Sequence, residues 1–214
     1  MENKPKLVLI GASHIQRLEK AGRHVLKSQY HVILYAFPGA RYERIIELVP
    51  WHELEQLTEH DTVLAQPFGN SVFKKGSHMI TYNPKNIHLK VYARTEKESF
   101  RDMLIDFKTR CLNIKAKVII LDNIFKHVNC CKSHTYPGMI SHQHQLNLMI
   151  RNVFQDSDSI VLPWQKVYIP YLSKNKVKVS QLKNFFKDSV HLHESCYSRA
   201  VEKILGISTR RIIQ

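Results

Sequence analysis

The chain alternates short apolar runs with stretches in which apolar residues recur every three or four positions. Leu7-Val8-Leu9-Ile10 is the first run, and it passes directly into Gly11-Ala12-Ser13-His14. A continuous apolar run closed by small residues predicts a strand buried on both faces, here 7–12, followed by a helix over about 14–22. The same alternation continues along the chain. Strands are predicted at 30–36, 61–66, 117–122 and 158–164, and helices at 41–48, 98–112, 141–154 and 194–205. Pro50 breaks the second helix or opens the turn at Trp51, and Gly206 suits the C-cap of the last helix. From about 72 to 97 the pattern changes to short alternating pieces such as Ile87-His88-Leu89-Lys90-Val91-Tyr92, which predict a strand or hairpin inserted over the sheet edge.

Five apolar strands alternating with helices predict an α/β fold: a three-layer α/β/α sandwich on a five-stranded parallel sheet with right-handed crossovers. The whole of 1–214 is expected to form one domain with that single insertion. Ligands in such folds bind beyond the carboxyl ends of the strands. Ser13, Gly39, Asn70 and the loop 123–139 all follow predicted strands, so all fall on that edge.

Charge alters this picture. Thirty-two Lys and Arg against 18 Asp and Glu give a net charge of +14, with 13 His in addition. Such a surface attracts polyanions, nucleic acid among them, and a local cluster runs Lys174-Lys176-Lys178-Lys183-Lys187. No stretch is long and apolar enough for a membrane span, and the first residues show no signal-peptide core, so an intracellular protein, cytoplasmic or nuclear, is expected. The four cysteines, two of them adjacent at Cys130 and Cys131, do not suggest a disulfide framework.

Ser13 in a tight turn between strand and helix is a place to expose a nucleophile, beside the N–H groups and positive dipole end of a helix; it is equally a place for a helix cap. Further blocks bear on the choice. Gly11-x-Ser13 after the first strand, Gly39 after the second, Gly69-Asn70 after the third and Asp188-Ser-Val-His191-Leu before the last helix resemble the four sequence blocks of the SGNH/GDSL hydrolases, in order and over nearly the whole chain. The resemblance implies a flavodoxin-like sheet and an esterase or deacylase that needs no metal or organic cofactor. It implies Ser13 as nucleophile, His191 as base and Asp188 as its orienting acid. The oxyanion donors would be the Ser13 and Gly39 backbone N–H groups and the Asn70 side-chain amide. The substrate would be an acyl ester.

The chemistry needs those groups. A serine hydroxyl attacks poorly until a base takes its proton, the imidazole needs a partner to fix its tautomer, and the developing oxyanion needs donors. The departures from the family pattern are Ala12 where an acid is usual, His14 where leucine is frequent, Phe68 where glycine is usual and Ser71 in place of Asp; they mark a divergent member. His14 and Arg41 are weaker candidates for substrate contact, with a solvated first-turn histidine and an exposed helix-start arginine as the alternatives. Tyr42 and Trp164 read as packing residues. His127, Cys130, Cys131 and His134, with His142 and His144 nearby, have spacings compatible with zinc, but no second distant pair accompanies them, and the loop reads better as one shaping the acyl pocket. A different class of function is a weak or inactive hydrolase fold that binds nucleic acid or another polyanion through its basic surface.

Overall fold

The computed structural model of the protein describes residues 4–72, 95–124, 136–164, 185, 187 and 191–206, with the side chains of 136–140 outside the description. Five strands form one sheet in the order β2-β1-β3-β4-β5: β1 (Lys6–Gly11), β2 (His31–Ala36), β3 (Thr62–Gln66), β4 (Lys117–Leu121) and β5 (Ile160–Leu162). Every pairing is parallel. β1 has a neighbour on each side and helices on both faces, which is why Leu7, Val8, Leu9 and Ile10 are all fully buried. Removing each such side chain from water contributes about 1.5–3 kcal/mol.

Successive side chains of a strand point to opposite faces, and the core divides accordingly. Val8 and Ile10 pack with Val63, Ala65, Val118 and Ile120 under α2 (Tyr42–Leu48), α3 (Trp51–Leu54), α4 (Lys97–Cys111) and α5 (Tyr136–Phe154). Leu7 and Leu9 pack with Leu64, Ile119 and Leu121 under α1 (Ser13–Gln29) and α6 (Glu194–Leu205). The three-layer sandwich with a five-stranded parallel sheet is therefore the observed architecture.

α1 runs to Gln29, beyond the expected end at about 22, because Ile15, Leu18, Gly22, Val25 and Leu26 continue one buried stripe. Glu19 lies on the buried side as well, and Arg23 meets its carboxylate with two N–H groups at 2.8 Å. α6 places Cys196, Tyr197, Ala200, Val201 and Ile204 inward against α1. The two helices cross at Gly22, where a Cβ would stand 2.7 Å from Val201 Cγ2. Gly206 ends α6 in the left-handed conformation, φ +67°.

α5 starts at Tyr136, earlier than the expected 141, so Tyr136-Pro137-Gly138 is helix. Proline is compatible with a first helical turn, where its missing N–H has no partner to lose. Tyr42 and Trp164 are both core residues. Most of the expected insertion, 73–94, lies outside the described residues, but the points where the chain leaves and returns are joined. Thr95 N–H donates to Val72 O at 3.3 Å and Thr95 Oγ1 to Ser71 O at 2.6 Å. Among the described residues, no helix is long and apolar enough to cross a membrane.

Candidate functional site

The site is built where β1, β2 and β3 end. Gly11 closes β1, and only glycine fits: a Cβ there would lie 2.6 Å from Ile15 Cγ1 and 2.8 Å from Gln66 O. The chain then turns at Ala12, whose carbonyl accepts from Ile15 and Gln16 N–H. Ala12, extended and with no side-chain cap, is the residue that precedes the helix. Ser13 is the first helical residue and is half-buried, so its hydroxyl is not spent as a cap. Its own N–H belongs to the first helical turn, which has no acceptor within the helix.

Ser13 Oγ lies 3.2 Å from His191 Nε2. That is hydrogen-bond reach, at its long end. His191 stands just before α6. Lys187 N–H donates to His191 O at 2.9 Å, and His193 N–H to Phe185 O at 2.9 Å, so the backbone on both sides of 188–190 is cross-linked. Asp188 itself lies outside the described residues.

The loop after β2 turns at Gly39 with φ +79°, a conformation that L side chains rarely adopt, and the space where a Cβ would sit is open. Ala40 N–H closes this turn on Phe37 O. The loop after β3 is fastened to it three times. Asn70 Nδ2 donates to Ala40 O at 2.9 Å, Arg41 Nη1 to Asn70 O at 3.3 Å and Tyr42 N–H to Ser71 Oγ at 2.9 Å. An amide nitrogen has two N–H groups, so Asn70 keeps a second donor beyond the bond to Ala40. Arg41 braces the loop and also pairs with Glu43 at 3.6 Å, an arrangement that counts against an anion-binding role.

Three of the departures from the family pattern acquire physical meaning here. Ala12 and Phe68 belong to the same apolar cluster, with Tyr42 stacked on Phe68 at 5.3 Å. Apolar packing thus supports the turns at this edge. Ser71 is fully buried and fills the amino end of α2.

His14 is not solvated. It is 5% exposed, and Nδ1 lies 2.7 Å from the Tyr197 hydroxyl, a burial that counts against substrate contact. Tyr197 went unmarked in the sequence. The available signal was an aromatic residue on the inward face of the helix that follows the Asp-x-x-His block.

The far side of the edge is also fastened. Asp122, at the end of β4, accepts from Trp164 N–H at 2.7 Å and from Arg151 Nη2 at 2.9 Å. Burial pushes its carboxyl up, against the opposing pull of Arg151 and the Trp164 amide. Asn147 grips both backbone groups of Asn123 at 3.0 and 2.9 Å. His127, Cys130, Cys131 and His134 lie outside the described residues, and among the described residues no cluster of His, Cys, Asp and Glu could hold a metal. Cys111 and Cys196 are buried free thiols, and burial holds Cys111 up at about 12, an unreactive value.

No protein-family model matches the sequence, and no curated protein matches it. Solved structures do match in shape. A GDSL-like lipase from Bacteroides thetaiotaomicron is 11% identical with TM-score 0.63, covering 96% of this chain and 88% of that one. A lipase/acylhydrolase from Enterococcus faecalis is 15% identical with TM-score 0.58, covering 97% and 99%. An acetyl xylan esterase from Geobacillus stearothermophilus is 12% identical with TM-score 0.60, covering 99% and 100%. The protein therefore has the fold of the SGNH/GDSL hydrolases, with very little sequence in common.

Proposed function

We propose that the protein is a divergent SGNH-type serine hydrolase that cleaves an ester or acyl group through an acyl-enzyme on Ser13. The observation that carries this is the 3.2 Å separation of Ser13 Oγ and His191 Nε2 at the carboxyl edge of the sheet. His191 Nε2 takes the hydroxyl proton as Oγ attacks the carbonyl carbon. The resulting oxyanion is received by the Ser13 and Gly39 N–H groups and by Asn70 Nδ2. His191 then passes the proton to the leaving oxygen, and the acyl group stays on Ser13. Water, deprotonated by the same imidazole, releases the acid and restores the hydroxyl. Asp188, three residues before His191, is assigned the task of orienting the ring. Lipase and esterase activities named for proteins of the same shape agree with an acyl ester substrate.

The test is labelling of Ser13 by a fluorophosphonate probe. Wild-type protein is expected to label, and Ser13→Ala and His191→Ala are expected not to. A well-folded wild-type protein that takes no label would sink the reading.

Binding of a phosphate polyanion is a second reading, and a separate observation favours it. At the amino ends of the strands, opposite the site, an open groove of about 1200 Å³ is lined by Lys4, Lys6, Lys27, His31 and His60. Among the described lining residues the one carboxylate, Asp61, is buried and already accepts from Lys6 N–H, Thr58 N–H and Thr58 Oγ1. A labelled single-stranded RNA should bind with an affinity that falls steeply as salt rises and drops when Lys4, Lys6 and Lys27 become Glu. Affinity indifferent to salt would remove this reading.

A further inference from the structure

We infer that His14 and Tyr197 form a clamp that positions the Ser13–His191 pair, an inference that rests on the hydrolase reading above. Ser13 and His191 are each followed by a buried residue, His14 and Leu192. Both of these reach the same atom. His14 Nδ1 lies 2.7 Å from Tyr197 Oη, and Leu192 N–H donates to that oxygen at 3.3 Å. One hydroxyl thus ties the backbone carrying the nucleophile to the backbone carrying the base, a single residue away from each.

A phenol suits this position because it both accepts and donates. It takes the Leu192 N–H on a lone pair. It can give its proton to a bare Nδ1 or accept from an Nδ1–H. Tyr197 is 1% exposed, so water competes little for these bonds, and cutting one leaves a buried polar group to be desolvated without return. The tyrosine is held in turn by the packing of α6 on α1 and by the Trp164 ring at 6.4 Å. The His14 ring also stands beside the base, with ring centroids 5.5 Å apart. His14 and Tyr197 act through the backbone that carries Ser13 and His191, so both are positioning residues. A leucine after the serine would make no such link. The nucleophile–base distance has little slack, and a misplacement of about 1 Å can cost on the order of a hundredfold in rate.

The experiment measures the rate at which a fluorophosphonate labels Ser13, together with kcat and KM for p-nitrophenyl acetate and the thermal midpoint. Tyr197→Phe removes one oxygen and keeps the ring. His14→Leu removes the other partner. Each is expected to slow labelling by roughly ten- to a hundredfold and to lower kcat in parallel with KM unchanged. The double variant should lose little more than either single one, because both cut the same link. His14→Asn, whose amide puts a polar atom near the Nδ1 position, should recover most of the rate. If His14→Leu does not fold, Tyr197→Phe carries the test alone.

A wild-type labelling rate in folded Tyr197→Phe overturns the clamp, even with a lowered thermal midpoint, since a purely structural role predicts that combination. A wild-type protein that never labels overturns the hydrolase reading and the clamp with it. The two failures are therefore distinguishable.

Discussion

Asn70 Nδ2 donates to the Ala40 carbonyl at 2.9 Å, so the side chain proposed to face the oxyanion also holds two loops together. Asn70→Ala should then show two separable effects. Losing an oxyanion donor lowers kcat by about 10²–10³-fold. Losing the bond to Ala40 lowers stability by about 1 kcal/mol. Steady-state kinetics on p-nitrophenyl acetate with a denaturant titration would separate them. An unchanged kcat would remove Asn70 from the catalytic proposal and leave it a loop fastener.

The α1–α6 crossing makes a prediction of opposite sign to helix propensity. Alanine is better than glycine in a helix interior by about 1 kcal/mol. At Gly22, however, the new methyl would meet Val201 Cγ2 at 2.7 Å, on a β-branched side chain that turns with difficulty. Gly22→Ala should therefore destabilise. Pairing it with Val201→Ala should recover part of the loss, because the clash is relieved. A stabilising Gly22→Ala in urea unfolding would show that the helices part more easily than this packing implies.

Asp61 gives the fold an acid dependence. Burial raises its carboxyl, but the hydrogen bonds from Thr58 and Lys6 outweigh burial and hold it below the ordinary value. A carboxylate depressed in the folded state stabilises fully above the unfolded value, about 3.9. That contribution is lost as pH falls through the lower folded value, because the unfolded chain takes up the proton more readily. Asp61→Asn should lower stability at neutral pH by about 2 kcal/mol, as the carboxylate's charge-assisted bonds from Lys6 N–H, Thr58 N–H and Thr58 Oγ1 are lost. It should also flatten the decline of stability below about pH 4. Chemical denaturation across that range would decide, and an unchanged slope would count against the assignment.

The central strands were legible because a parallel sheet buries both of their faces, and runs such as Leu7–Ile10 and Val118–Leu121 are short and continuously apolar, which favours a strand over a helix. The last helix was readable at both ends, with Gly206 as its stop. α1 was read too short because Arg23, His24, Lys27 and Ser28 crowd its second half, and only Val25 and Leu26 carry the buried stripe onward. His14 was beyond reach for another reason. Its environment is set by Tyr197, 183 residues away, and periodicity holds no information about such a partner. The same limit applied to Phe68, where a substitution that looks unfavourable in its own loop is supported by Tyr42 from the next one.

The separation of 178 positions along the chain between Ser13 and His191 has a consequence for how the protein comes to life. During synthesis Ser13, the proposed nucleophile, emerges with the first strand and helix, and most of the sheet can assemble around it. His191, the proposed base, arrives only just before α6, and it meets the serine once Val201 seats over Gly22 and Tyr197 reaches His14. A partly made chain would hold a nucleophile without a base, inert toward esters and toward its own neighbours. On the hydrolase proposal, the first acyl transfer would then report that α6 has docked.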